Sequence, residues 1–129
     1  MMLQLQENEL AIIQNYVQVG NTVTEALDYV VASFEDFSKT EGDLVLSDVF
    51  AAFAQMLDAN GHIIFFLKED PESLLHVLQF NEMITKIEKL EDIFGQVEQR
   101  NAFIKNELVP MYQAWINETN VKLQKYMQA

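Results

Sequence analysis

The hydrophobic pattern is helical along nearly the whole chain. Its most apolar stretch is Leu44 to Leu67, in which 17 of 24 residues are apolar and only Asp48 and Asp58 are charged. Leu46, Val49/Phe50, Phe53, Met56/Leu57, Ile63/Ile64 and Leu67 recur at three and four residues, the period of an α-helix. Ala51, Ala52, Ala54, Phe65 and Phe66 widen the apolar arc well beyond one stripe. A helix this apolar is buried on more than one side, as the central helix of a bundle or in a subunit interface.

Before it, Leu10, Ile13, Tyr16/Val17, Val23, Leu27, Val30/Val31, Phe34 and Phe37 form another row. Glu7 and Glu9 suit the positive end of its helix dipole. Gly20 interrupts this row at a cost of about 1 kcal/mol against alanine. The register continues across it, so the spacing predicts one helix. Gly20 then marks either a kink or the close approach of a neighbour. Ser38 to Asp43 reads as a turn, in which Gly42 can take a positive φ and Asp43 or Ser47 can cap the next helix. Asn60-Gly61 is the weak point of that second helix.

Asp70 followed by Pro71 is a strong helix start, a capping side chain before a residue that needs no N–H donor. Leu74, Val77/Leu78, Ile84, Ile87, Leu90 and Phe94 carry the third helix to Gly95. A continuous helix from Pro71 to Asn106 competes with a stop there. Matched lengths of helices two and three, with helices one and four longer, favour the stop. The fourth helix carries Phe103/Ile104, Leu108, Met111/Tyr112, Trp115/Ile116, Leu123 and Tyr126. Pro110 inside it deletes a backbone hydrogen bond and crowds the preceding turn, so a kink is expected. The predicted fold is all-α: one domain, an up-down-up-down four-helix bundle with helices near 7–38, 44–68, 71–94 and 97–126.

Leu108-Val109-Pro110 followed by Met111-Tyr112-Gln113-Ala114-Trp115 resembles the C-terminal Leu-x-Pro…Trp segment of small uncharacterised all-helical proteins of Gram-positive bacteria. The resemblance implies a helical, bacterial, cytoplasmic protein and brings no activity with it.

Composition narrows the picture further. With 129 residues, half of them apolar, the chain can build a real core. Glycine and proline together number six, which favours long helices over a many-stranded sheet. Cysteine is absent, which excludes disulfides and thiolate chemistry and suits a reducing cytoplasm. The N-terminal MMLQLQENEL lacks the basic and apolar regions of a signal peptide. Asp48, Asp58, Asn60 and His62 break the longest apolar stretch, so a soluble protein without a membrane partner is expected. The net charge of −12 makes nucleic acid and anionic membranes poor partners. The charge is uneven: up to Leu67, Lys39 is the only basic residue against ten acids. An acidic half aids solubility and, in a second reading, attracts a basic partner.

Little in the chain points to catalysis, and neither an enzyme nor a cofactor is expected. Di-iron bundles need Glu-x-x-His pairs, but Ala59 and Ser73 precede His62 and His76 by three. Asp58/His62 and Glu72/His76 are spaced i, i+4 near the turn between helices two and three. A small-molecule or metal site there is the alternative function, against ordinary solvated helix ends. No phosphate loop, Gly-x-Ser-x-Gly or His-Glu-x-x-His motif occurs. Glu35/Asp36 and Glu91/Asp92 are adjacent pairs that point apart on a helix and read as solvated faces.

A non-enzymatic interaction or scaffolding bundle is the leading expectation. Its partner is a protein, either a helical client or a second copy in a homodimer. Phe65, Phe66 and Val31 lie beside the main apolar rows, and a bundle of this size leaves apolar faces uncovered. Tyr112 and Trp115 can anchor an interface through rings with polar tips, with core packing as the alternative. Asn60 and Asn81 fall in apolar rows, either as a buried register-setting pair or at the wet edge of the core. Bacterial export chaperones, small acidic helical proteins that hold an amphipathic client segment, are similar in fold and charge alone. That comparison implies a client helix over the acidic first half, released by salt.

Overall fold

The first apolar row becomes α1, Glu7–Ser33, in a computed structural model that describes residues 6–36 and 41–127. Glu9 accepts the Gln6 N–H at 2.9 Å, so an acid of the first turn secures the helix start. Gly20 lies within α1 without a break. A Cβ there would stand 2.5 Å from Ile116 Cδ1, so the glycine marks the close approach of a neighbouring helix. Residues 1–5 lie outside the described residues, as do Phe37 and Ser38 at the expected end of helix one.

The second helix, α2, runs Gly42–Phe66 and passes through Asn60-Gly61 unbroken. Gly42 does not serve the turn through a positive φ, which no described residue adopts. A Cβ at Gly42 would instead collide with the Ser33 side chain, so this glycine lets the end of α1 touch the start of α2. After four intervening residues α3, Pro71–Glu88, starts as its sequence predicts. Asp70 accepts the Ser73 N–H at 3.4 Å and Pro71 opens the first turn.

The third helix stops at Glu88 rather than at Phe94. Lys89 N–H donates to Lys86 O, and Asp92 N–H to Lys89 O, each at 3.2 Å. These three-residue turns lead into the short α4, Leu90–Ile93. The apolar spacing explains them. Ile84, Ile87, Leu90 and Ile93 recur every three residues, a period that a regular α-helix would carry away from the core. Local tightening to three residues per turn restores it and keeps Leu90 buried.

After a turn at residues 94–96, α5 (Val97–Phe103) continues through Ile104–Leu108 into α6 (Val109–Met127) as one rod. The chain therefore divides near Gly95, and a single helix from Pro71 to Asn106 is excluded. Within Ile104–Leu108 the backbone widens, and Val109 N–H donates to Ile104 O, five residues back. This π-turn sits immediately before Pro110, where the missing N–H makes a regular ladder impossible. The irregularity expected at the proline takes this form.

α1 packs on α2 and α6, and α3 packs on the same two neighbours. The ring closes as an up-down-up-down four-helix bundle around Ile13, Tyr16, Phe53, Phe80, Tyr112 and Trp115. Phe80 and Trp115 rings lie 4.9 Å apart, and Phe53 and Tyr112 rings 5.5 Å apart, tilted pairs that favour aromatic contact. Helices two and three are not matched in length. α3 has 18 residues and α2 has 25, which leaves α3 shorter by about 10 Å at 1.5 Å per residue.

Candidate interaction groove

That mismatch opens the bundle on one side. Where α3 ends, α4 only partly covers α2, and an apolar groove of about 590 Å³ runs between them. Phe50, Phe53 and Leu57 line it from α2; Ile84, Ile87, Leu90 and Phe94 line it from the other wall. Leu57 is 40% exposed and Phe94 43%, although both continue apolar rows that elsewhere point inward. Glu88 and Glu91 stand along one rim. At the Phe94 end, the Arg100 guanidinium lies over the ring at 5.2 Å and pairs with Asp43 at 3.7 Å.

The apolar surplus of α2 is thus only partly covered. Its core face is buried between α1 and α3, while Leu44 (68% exposed) and Phe65 (70%) face outward. By length and composition alone α2 is apolar enough to cross a membrane. In this fold it is a bundle helix with an open outer face.

The residues offered as partner contacts divide. Phe65 is exposed near the end of α2, and Phe66 and Val31 are half-buried against the core. Tyr112 and Trp115 are core residues. Tyr112 Oη donates to Gly20 O at 2.7 Å, across the contact that the glycine permits. Trp115 Nε1–H donates to His76 O at 2.9 Å, and His76 Nε2 donates back to Trp115 O at 3.0 Å. The two rings stack at 10°. Because a carbonyl only accepts, His76 carries its proton on Nε2 in this clasp.

Asp58, His62, Glu72 and His76 do not assemble as ligands. Among the described residues no three His, Asp or Glu side chains converge as a metal site requires. Asp58 and His62 are exposed on α2. Glu72 accepts from Lys122 Nζ at 2.8 Å, and that hydrogen bond holds its carboxyl below the usual range. Asp70 is spent in the same seam. Tyr126 Oη and Lys125 Nζ each reach its Oδ2 at 2.6 Å. Burial opposes ionisation of Asp70, yet the hydrogen bonds from Lys125, Tyr126 and Ser73 outweigh it and hold the carboxyl well below the carboxylate range.

Asn60 and Asn81 are not a pair, for Asn60 is buried and Asn81 exposed. Asn60 lies instead beside Tyr16. Neither the Tyr16 hydroxyl nor either polar atom of the Asn60 amide has a hydrogen-bond partner of regular geometry. Burial and the neighbouring Tyr112 push the Tyr16 phenol up, while Asn60 draws it back. This is the polar weak spot of an otherwise apolar interior.

Sequence reasoning missed the groove itself. Phe50, Ile84, Leu90 and Phe94 read as ordinary core positions, and helices two and three read as similar in length. The signal was the run of three-residue spacings from Ile84 to Ile93, which a regular helix cannot bury.

Residues 11–118 match the family described as a domain of unknown function, DUF8042. The chain belongs to this family. It is also similar to the uncharacterized protein YvzG of Bacillus subtilis (strain 168), at 22% identity over 108 residues, 84% of this chain and 86% of that protein. The match extends the resemblance of the Leu108–Trp115 segment to most of the chain, without a characterised relative. No solved structure matches.

Proposed function

We propose that this protein is a non-enzymatic interaction or scaffolding bundle of the bacterial cytoplasm, chaperone-like in holding a segment of another protein. The groove between α2, α3 and α4 takes an α-helix of the partner. The observation that carries this reading is a partly open apolar trough between two helix walls. Such a trough matches the apolar face of an amphipathic helix, which docks through anchors at i, i+3, i+4 and i+7. The site extends beyond the acidic first half of the chain, since its second wall comes from α3 and α4. A second reading is a small apolar ligand, because 590 Å³ falls in the size range of about 300–1,000 Å³ of small-molecule pockets.

The test is a titration of isotope-labelled protein with a panel of amphipathic helical peptides, followed by backbone amide shifts. Shifts confined to Phe50–Leu57 and Ile84–Phe94, lost in Leu57→Asp/Ile84→Asp, support the groove. Saturation by a single-chain fatty acid at the same amides, with no peptide effect, supports the small-molecule reading instead. Peptide shifts centred on other surfaces would end both.

A further inference from the structure

We infer that the groove selects a cationic amphipathic helix, with Lys or Arg flanking its apolar face; this rests on the groove being a helix-docking site. The floor carries no charge, and the cation nearest the groove, Arg100 over the Phe94 ring at one end, is already paired with Asp43. Glu88 and Glu91 form one rim. On the opposite wall Asp58 follows Ala54, a lining residue, by four positions, so it shares that face of α2. Acidic side chains therefore border the trough on both sides.

These acids differ from those that hold the bundle together. Asp70 and Glu72 have lysine partners in the α3–α6 seam, and Asp43 and Glu35 pair with Arg100 and Lys105. Among the described residues Asp58, Glu88 and Glu91 have no ion pair. Their charges are left for something outside the chain, and the rest of the protein adds to the same field through a net charge of −12. A second copy would bring the same sign to the same rim, as would nucleic acid or an anionic membrane. A basic helix reverses the sign and fits the floor. The span from Phe50 to Leu57 is seven residues of α2, about 10 Å, so two to three turns of the occupant reach along it.

The probes are two synthetic peptides of three to four helical turns with identical leucine faces, one flanked by lysine and the other by glutamate. The lysine peptide is expected to bind about tenfold more tightly, and to weaken several-fold between about 0.05 and 0.5 M NaCl, as exposed pairs do when screened. Glu88→Gln/Glu91→Gln should remove most of that preference, and Glu88→Lys/Glu91→Lys should invert it. Glu88 and Glu91 are both exposed, so unchanged thermal melts are expected and serve as the folding control.

Equal binding of both peptides at the groove amides would overturn the charge selection while leaving the docking site intact. Binding of neither would overturn both. Concentration-dependent dimerisation that shifts the groove amides would make a second copy the occupant and overturn the inference as well.

Discussion

The two long edges of α3 are built from different chemistry. Toward α6, polar contacts pin it at three levels: Asp70 to Tyr126 and Lys125, Glu72 to Lys122, and His76 to Trp115. Toward α2 it offers aromatic and aliphatic surface, with Phe53 and Phe80 rings 5.8 Å apart at the deepest point. Directional polar contacts fix a register, and each buried partner costs free energy when separated. Apolar contact has no such directionality, so that side can stand open where the helices differ in length. The pinned edge holds α3 in place, while the apolar edge stands partly open.

Truncation should expose this contrast most strongly. Trp115→Ala removes a buried ring that packs on Tyr16, Phe80 and Tyr112 and the donor of the His76 clasp. A loss of about 3–5 kcal/mol is expected from denaturant unfolding, as for other buried Trp or Phe truncations. Phe94→Ala, on the open side, should cost under about 1 kcal/mol because the ring is already partly in water. Comparable losses at the two positions would erase the distinction between the edges.

Within the core the sign reverses. Asn60→Leu removes two buried amide atoms that lack partners and should raise stability by about 1–2 kcal/mol. A lower melting temperature would show that the amide is satisfied in solution.

The pinned edge also carries a pH signature. The Asp70 carboxyl is held below its ordinary value, so its contribution is complete above the unfolded value of about pH 4. It disappears as pH falls through the lower folded value. Asp70→Asn should cost about 1 kcal/mol at neutral pH, the size of a lost helix cap. It should also flatten the acid limb of a stability profile measured from about pH 7 to pH 2. An unchanged acid limb would place the responsible carboxylate elsewhere. The smallest effect belongs to the rim: Glu88→Gln should leave the melt within about 0.5 kcal/mol, the range of surface substitutions, while altering peptide preference.

Much of the fold was legible because local rules set it. Asp70-Pro71 opens α3, the row through Gly20 stays one helix, and Pro110 coincides with an irregular turn. In each case the deciding chemistry lies within a few residues. The candidate site was not legible in that way. Phe65 stood out as surplus apolar surface and is exposed, yet Tyr112 and Trp115 looked equally suited to an interface and are buried. Helical period tells which residues share a face, but not what the face meets. Asp58 read as a candidate metal ligand or a solvated helix end and Glu91 as a solvated face, because a position beside an apolar trough depends on which helices become neighbours.

The sequence by itself determined an acidic, all-helical chain with four long apolar rows and the places where they start and turn. Those properties follow from backbone hydrogen bonding, side-chain period and charge, which act locally or sum over the chain. Only the tertiary structure decided which apolar residues stayed in contact with water. That outcome depends on α3 ending about 10 Å short of α2, and on polar pairs formed between residues dozens of positions apart.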